Sequence, residues 1–217
     1  MKNINTKKYW DKRFSTGDWE TSKGRNQTAD FAKSQVERFD IPKNFSGTIL
    51  DFGCGLGDAI PIYKKKYPKA KLIGVDISEE AIKKCKKSFG DIATFIAGTE
   101  NEVPTVDIII SSNVFEHLSN DKEIAKVLIQ KCKTLYITVP FNENLKTSGA
   151  TEHINSYDED SFNNTFKNVS SKKFRSKGWG ETTRDLIIKV YLKNIFRFLF
   201  GKKLRIKTKQ IMFKIQK

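Results

Sequence analysis

The chain has 217 residues, which is enough for one α/β domain and short for two, so we expect a single domain over residues 1–217. No apolar run reaches the roughly 20 residues of a transmembrane helix, and the N-terminus lacks an apolar signal core, so we expect a cytoplasmic protein. Three scattered cysteines fit neither a disulfide framework nor a zinc site, and two histidines are too few for a histidine-rich site; we therefore expect no metal site.

The net charge of +15 is concentrated near the C-terminus. From Lys167 onward there are 16 Lys or Arg residues against two acids, whereas the preceding residues hold 24 basic and 23 acidic groups. Such asymmetry indicates a polyanionic partner, which can be a membrane, a nucleic acid or a charged substrate. A solvated face rich in lysine is the alternative explanation.

Short apolar segments alternate with helical ones after a polar stretch at 1–45. The predicted strands are 48–52, 71–76, 92–97, 106–111 and 135–140, with weaker signals at 169–175 and 210–215. The predicted helices end near 66 after the first strand and then cover 79–88, 121–132, 158–166 and 183–200. Strands that alternate with helices in this way predict a parallel sheet covered on both faces.

A glycine-rich turn follows the first predicted strand, where residues 51–58 read DFGCGLGD. Glycine lets the backbone turn sharply and approach a ligand closely. Asp76 ends the second strand, 19 residues after Gly57. A carboxylate at that place can accept hydrogen bonds from ribose hydroxyls, so the two features predict a nucleotide-like ligand.

The spacing of this turn argues against a nicotinamide dinucleotide. The fingerprint G-x-G-x-x-G would end at Asp58 when counted from Gly53, and at Ile60 when counted from Gly55. An acid beside the helix N-terminus would also repel the pyrophosphate that a dinucleotide turn binds. A ligand without phosphates, with a cationic sulfonium and an amino group, fits the turn better.

Residues 49–58 resemble motif I of the class I S-adenosylmethionine-dependent methyltransferases. Residues 73–78 resemble the second motif of that family, and 107–118 resemble its fourth strand with the following loop. The three occur in the usual order and spacing, and the resemblance covers roughly 49–140. It implies S-adenosylmethionine as cofactor and a Rossmann-like α/β fold, with a seven-stranded sheet in the order 3-2-1-4-5-7-6, an antiparallel last strand and helices on both faces.

The resemblance also implies a set of cofactor-binding residues, namely Asp51, Gly53, Gly55, Gly57, Asp76, Ile77, Thr99 and Asn113. The glycines would line the methionine part, and Asp51 would face its amino group through water. Asp76 would hold the ribose, and Ile77 would pack on the adenine. Thr99 stands where the family often has an acid that reaches the adenine amino group. Asn113 would offer its backbone near the sulfonium.

Both histidines follow strands at the carboxyl edge of the predicted sheet. His153 lies in a Glu-His-hydrophobic segment that resembles one found over the active site of many small-molecule and sugar methyltransferases. A hydroxyl acceptor benefits from a positioned base, commonly histidine. His153 is therefore the first candidate base and His117 the second, with Glu116 and Glu152 beside them. For His117 the alternative is a helix start or a packing residue that shapes the pocket. Each glutamate can orient the histidine beside it or bind the chain locally.

The segment 1–45 contains several aromatic and arginine side chains, namely Tyr9, Trp10, Arg13, Phe14, Trp19 and Arg25. In related methyltransferases a segment before the first strand often folds across the cofactor as a lid. Aromatic rings there can shield the sulfonium or contact it through their faces. A cap that packs its rings on the core is the alternative.

The predicted helix within 183–201 is apolar apart from a stripe formed by Lys189, Lys193 and Arg197. Such a helix is either buried or lies in a membrane interface, and it is too short and too charged to span a bilayer. One hypothesis is therefore that residues 184–203 contact an anionic membrane surface, at the inner face of the membrane. A cover for the sheet or a subunit contact is the alternative.

Taken together, these patterns predict methyl transfer to an oxygen or nitrogen atom of a small molecule or glycan precursor, with surface-polysaccharide biosynthesis as a suggested setting. An RNA methyltransferase is an alternative because the C-terminal region is basic. Against it, the residues after the fourth strand, 111–114, lack an Asn/Asp-Pro-Pro-Tyr motif. A non-catalytic module that binds S-adenosylmethionine is a further alternative.

Overall fold

A computed structural model describes residues 5–148, 150–175, 192, 194–201 and 209–217. Its centre is one seven-stranded sheet in the order β3-β2-β1-β4-β5-β7-β6. The strands are β1 (Thr48–Phe52), β2 (Lys71–Asp76), β3 (Thr94–Ala97), β4 (Ile108–Ser112), β5 (Thr134–Pro140), β6 (Asn168–Arg175) and β7 (Lys209–Gln216). Strands β1 to β5 pair in parallel, and β7 is antiparallel to both β5 and β6. The predicted strand order and the antiparallel last strand are confirmed.

Three helices precede the sheet and three more alternate with its strands. They are α1 (Lys7–Ser15), α2 (Asp18–Thr21), α3 (Gly24–Gln35), α4 (Ile60–Lys66), α5 (Glu79–Phe89) and α6 (Asp121–Gln130). The start of α5 shows why these segments are helical. The Ser78 side chain accepts a hydrogen bond from the Ala81 N–H. Two glutamates occupy the first turn, where their negative charges interact favourably with the helix dipole.

Apolar side chains pack on both faces of the sheet. Strand β4 illustrates the alternation, because Ile108 and Ile110 pack on the face that contacts α4, whereas Ile109 packs on the opposite face with Leu128 of α6. All three cysteines are buried and free. The resulting scaffold fixes the carboxyl ends of β1, β2, β4 and β5 along one edge of the sheet.

Residues 159–165 form turns, so the helix predicted over 158–166 is wrong. The Asp158 carboxylate accepts hydrogen bonds from the Asp160 N–H and the Ser161 hydroxyl. Such short polar side chains compete with helical hydrogen bonds for the backbone, which explains the difference. Phe162 nevertheless becomes fully buried against the core.

The chain leaves and rejoins the sheet at the edge where β5 ends. Arg175, the last residue of β6, pairs with Lys209, and Gln210 pairs with Pro140. Within the predicted helix 183–200, residues 192 and 194–199 are helical, and 183–191 and 193 lie outside the described residues. No helix in the described ranges is long and apolar enough to cross a membrane.

Candidate active site

The glycine turn after β1 adopts a backbone that favours glycine. Gly53, Gly55 and Gly57 have φ values of 75°, 53° and 77°. A Cβ atom on Gly53 would lie 2.3 Å from a methyl carbon of Val114. The turn and the loop after β4 are therefore in direct contact, and this contact joins the predicted cofactor and acceptor sides.

Asp76 ties the end of β2 to the glycine turn. Its carboxylate accepts hydrogen bonds from the Gly55 N–H at 2.8 Å and the Ser78 N–H at 2.9 Å. Burial raises the pKa of Asp76 to about 6, although these two N–H donors act to lower it. The residue predicted to hold the ribose thus lies at the turn, and each of its oxygens retains a lone pair for a ligand hydroxyl.

Asp51 lies under the same turn and is almost fully buried. Burial, with a smaller effect from Asp76, raises the pKa of Asp51 to about 7. A cationic group nearby would stabilise the charged form of this carboxylate. This environment suits a ligand with an amino group and a sulfonium.

The acid at Asp58 does not act as an unpaired charge. Arg25 donates two hydrogen bonds to one Asp58 oxygen, from Nη2 at 2.7 Å and from Nε at 2.9 Å. The negative charge of the acid that flanks the turn is therefore balanced by a cation of the protein. Arg25 instead anchors α3 to the glycine turn.

On the side predicted to bind the adenine, Ile77 is partly exposed beside Asp76. Thr99 uses both its N–H and its hydroxyl to donate to the Glu102 carboxylate, at 2.7 Å and 3.0 Å. The carboxylate of Glu102 therefore lies beside Thr99, where the family often has an acid in the sequence itself. Glu102 was not predicted from the sequence, although it lies only three residues after Thr99.

Asn113 follows β4 in a left-handed conformation with φ of 54°. Its N–H donates to the Thr138 carbonyl at 2.8 Å, and its side-chain oxygen accepts from Gln210 at 2.8 Å. Gln210 belongs to β7 and is 1% exposed. Gln210 could not be predicted from the sequence, because only the antiparallel pairing of β7 with β5 brings it to this edge.

The predicted acceptor-side residues come together in two connected segments. Glu116 and His117 lie in a 3₁₀ turn (Phe115–His117), and His153 follows β5. The Ile154 N–H donates to the Glu116 carbonyl at 2.8 Å, which joins the two segments. The structure thus places residues about 35 positions apart in the chain side by side.

The rings of His117 and His153 meet edge to face, with centroids 4.9 Å apart. Burial, with a smaller effect from His153, lowers the pKa of His117 to about 4, so this ring is neutral at pH 7. Glu116 is 1% exposed, and burial raises its pKa to about 8. We call Glu116, His117 and His153 the acceptor-side cluster.

His153 is oriented by a carboxylate that the sequence analysis missed. Its Nδ1 and an Oε2 atom of Glu143 lie 2.5 Å apart, and both side chains are largely buried. Burial alone would lower the pKa of His153, but the bond to Glu143 and the charge of Glu116 raise it above its usual value. An acid three residues after β5 is the signal that could have identified Glu143.

Helix α1 covers this cluster. Tyr9 donates to the Glu152 carboxylate at 2.8 Å, and Arg13 forms an ion pair with the same group. Although burial opposes it, these two partners lower the pKa of Glu152 to about 2. Trp10 lies edge-on to His117, with ring centroids 5.4 Å apart. The placement suits the proposed lid, which stays a prediction.

Comparison with known proteins agrees with this geometry. A family described as "Methyltransferase domain" matches residues 49–135, which contain the glycine turn, Asp76 and the acceptor-side residues of the 3₁₀ turn. Residues 49–135 therefore match a methyltransferase domain, and the fold around them is that of the class I S-adenosylmethionine-dependent methyltransferases. S-adenosylmethionine is the cofactor of this family.

Two curated relatives match part of this chain. A trans-aconitate 2-methyltransferase of Afipia carboxidovorans is 33% identical over 95 residues, which are 41% of this chain and 37% of the relative. A malonyl-[acyl-carrier protein] O-methyltransferase of Anoxybacillus flavithermus is 32% identical over 130 residues, which are 58% of this chain and 49% of the relative. The chain thus spans less than half the length of these relatives.

Solved methyltransferase structures share the whole fold. A chain from the complex of the Haloferax volcanii Trm112 methyltransferase activator with a methyltransferase superposes with a TM-score of 0.68 at 15% identity, covering 95% of this chain and 97% of that chain. The plantazolicin methyltransferase BpumL, in complex with S-adenosylhomocysteine, superposes with a TM-score of 0.59 at 18% identity, covering 99% and 96%.

Proposed function

We propose that this protein transfers the methyl group of S-adenosylmethionine to a hydroxyl oxygen of a small-molecule or peptide acceptor. The observation that carries the proposal is the bond between His153 and Glu143. Because the carboxylate accepts from Nδ1–H, the Nε2 atom keeps its lone pair and is available to take a proton. The pair lies in the segment that follows β5. This segment is joined to the loop after β4, and Val114 of that loop contacts Gly53 of the glycine turn.

The chemistry is an in-line displacement at the methyl carbon. The acceptor oxygen forms a bond to that carbon as the bond to the sulfonium sulfur breaks, and neutral S-adenosylhomocysteine leaves. The hydroxyl proton passes to Nε2 of His153, and Glu143 stabilises the imidazolium. Positioning supplies much of the acceleration, so the buried scaffold around Asp51, Asp76 and Glu116 serves the reaction by holding its parts in place.

The relatives' names support a small-molecule or peptide acceptor, whereas the choice of a hydroxyl rests on the site alone. The relatives are named for trans-aconitate, for malonyl-[acyl-carrier protein] and, among the structures, for plantazolicin. A glycan precursor offers several hydroxyl groups and is our first acceptor class to test. An amine acceptor, an RNA acceptor and a non-catalytic module remain the other outcomes of the test.

Incubation with S-adenosylmethionine and an acceptor panel tests the proposal. S-adenosylmethionine and S-adenosylhomocysteine should raise the melting temperature, whereas NAD and NADP should not, because a ligand that binds only the native state stabilises it. Sugar nucleotides should then give S-adenosylhomocysteine faster than amines or RNA. Cofactor binding without turnover on any acceptor would favour the non-catalytic module.

We further propose that the exposed helix near the C-terminus contacts an anionic membrane surface. Phe196, Phe198 and Phe200 are 63%, 74% and 72% exposed. Basic residues follow in the sequence at Lys202, Lys203, Arg205 and Lys207. Exposed rings beside basic residues suit an interfacial helix. Because Arg175 and Lys209 lie at the active-site edge, such contact would present a lipid-linked acceptor to the site.

Flotation with liposomes tests this contact. Wild-type protein should float with anionic liposomes at low salt and less at high salt, since each basic residue near the surface contributes about 1 kcal/mol and salt screens it. Changing Lys189, Lys193 and Arg197 together to glutamate should reduce flotation, and neutral liposomes serve as the control. Wild-type protein that stays with the soluble fraction on anionic liposomes would contradict the hypothesis.

A further inference from the structure

We propose that the acceptor-side cluster, Glu116, His117 and His153, is a binding site for a first-row divalent cation such as zinc, and that the bound ion blocks the base. One possible ligand atom of each side chain lies within 4.8 Å of the others. Two imidazoles with one carboxylate form a ligand set found in catalytic zinc and non-haem iron sites. The sequence-based expectation of no metal site counted histidines and did not consider that Glu116 completes the set.

Both imidazoles are already oriented as metal ligands usually are. The Nδ1 atom of His117 lies 3.1 Å from the Glu152 carbonyl oxygen, which can only accept, so Nδ1 carries the hydrogen. The Nδ1 atom of His153 is bound in the same way by the Glu143 carboxylate. In each ring the Nε2 lone pair is left for an ion. Outer partners of this kind fix the tautomer of metal-binding histidines.

Glu116 supplies the third ligand, and its buried carboxylate would be stabilised by an ion. It is 1% exposed, and its Oε2 atom has no hydrogen-bond partner among the described residues. A buried carboxylate oxygen without a partner is costly, and a cation beside it would compensate that cost. The carbonyl of the same residue accepts from the Ile154 N–H, so its backbone is fixed next to His153.

The separation of the ligands suits a small ion after a modest closure. Zinc with bonds of about 2.0–2.1 Å in a tetrahedral site separates its ligand atoms by about 3.4 Å. One possible ligand atom of each side chain lies within 4.8 Å of the others, so the site needs a closure of about 1–2 Å to reach that separation. Mg²⁺ and Ca²⁺ prefer oxygen ligands, and we expect them to bind poorly here.

Occupation of this site would inhibit the proposed reaction. Only this inhibition, and not the binding of the ion, rests on the proposed function. The ion would take the Nε2 lone pair that His153 needs in order to accept a proton. Zinc should therefore inhibit methyl transfer, and a chelator should restore it. Ion binding itself needs neither cofactor nor acceptor, so it can be tested even where the proposed acceptor chemistry fails.

Titration with Co²⁺, followed by its visible absorption and displaced by Zn²⁺, tests the site. One ion should bind per chain, and Glu116→Gln should weaken binding by more than about 100-fold, because a lost ligand costs more than the 10–100-fold typical of an outer partner. Glu143→Gln should weaken it by about 10-fold. Glu123→Gln is the matched control, since this exposed glutamate lies seven positions after Glu116 and pairs with Lys126.

The outcomes separate the alternatives. Binding of S-adenosylhomocysteine by Glu116→Gln shows that the variant is folded, so its failure to bind cobalt then reports the lost ligand. Zinc should not affect the residual turnover of that variant. Intense near-ultraviolet absorption would indicate thiolate ligation at a cysteine instead, and this would overturn the proposal. Equal cobalt affinity of wild type and Glu116→Gln, or no saturable binding, would overturn it as well.

Discussion

Replacing His153 by alanine should lower turnover on a hydroxyl acceptor by roughly 10²–10⁴-fold, the usual contribution of a general base. The affinity for S-adenosylmethionine should stay nearly constant, because His153 is not among the residues predicted to bind the cofactor. The measurement is the rate of S-adenosylhomocysteine formation at saturating cofactor. A chelator in the assay keeps the acceptor-side cluster free of ions, so that the result reports the base alone.

His117→Ala is the matched control for this experiment, because His117 and His153 are the only two histidines in the chain. The neutral ring of His117 packs between Trp10 and His153, and its loss should cost less than the loss of His153. A loss below about threefold in His153→Ala would reassign His153 to structure. A larger loss in His117→Ala would transfer the role of base to His117.

Replacing Asp76 by alanine should weaken the binding of S-adenosylhomocysteine by about 1–3 kcal/mol, or about 5- to 150-fold. The change removes the acceptor of the Gly55 and Ser78 N–H groups together with the predicted acceptor of the ribose hydroxyls. Isothermal titration calorimetry measures the dissociation constant directly.

Two further variants make the Asp76 result specific. Asp91→Ala changes an exposed acid in the turn after α5 and should leave the affinity unchanged. Asp76→Asn keeps one side-chain oxygen, so it should fall between the wild type and Asp76→Ala. Unchanged calorimetry in Asp76→Ala would remove this residue from the cofactor site.

The sheet could be predicted from the sequence because its strands are short, apolar and separated by clear turns. The strand order came from the family resemblance, and the structure confirms it. The error at 158–166 has a local cause, because Phe162 and Phe166 have helical spacing while the polar side chains between Asp158 and Ser161 bond to the backbone instead. The spacing of apolar residues alone gives no information on this competition for backbone hydrogen bonds.

Candidate site residues could be predicted where they lie together in one segment of the sequence. They could not be predicted where distant segments meet only in the fold. The glycine turn could be recognised from ten consecutive positions, and the histidines from their place after strands. Glu143 and Gln210 act through tertiary contacts with His153 and Asn113. The pairing of Arg25 with Asp58 likewise joins residues that the sequence keeps 33 positions apart.

The position of β7 has a consequence for how the chain reaches this fold. Strand β7 is the last strand along the chain, but in the sheet it lies between β5 and β6. Among the described residues it pairs with both. While the chain is being synthesised, β5 therefore keeps an open edge with apolar residues such as Ile137 and Val139 until β7 emerges from the ribosome. Open apolar edges of this kind invite aggregation of nascent chains. Expression yield should consequently depend on the supply of chaperones more than the stability of the finished protein would suggest.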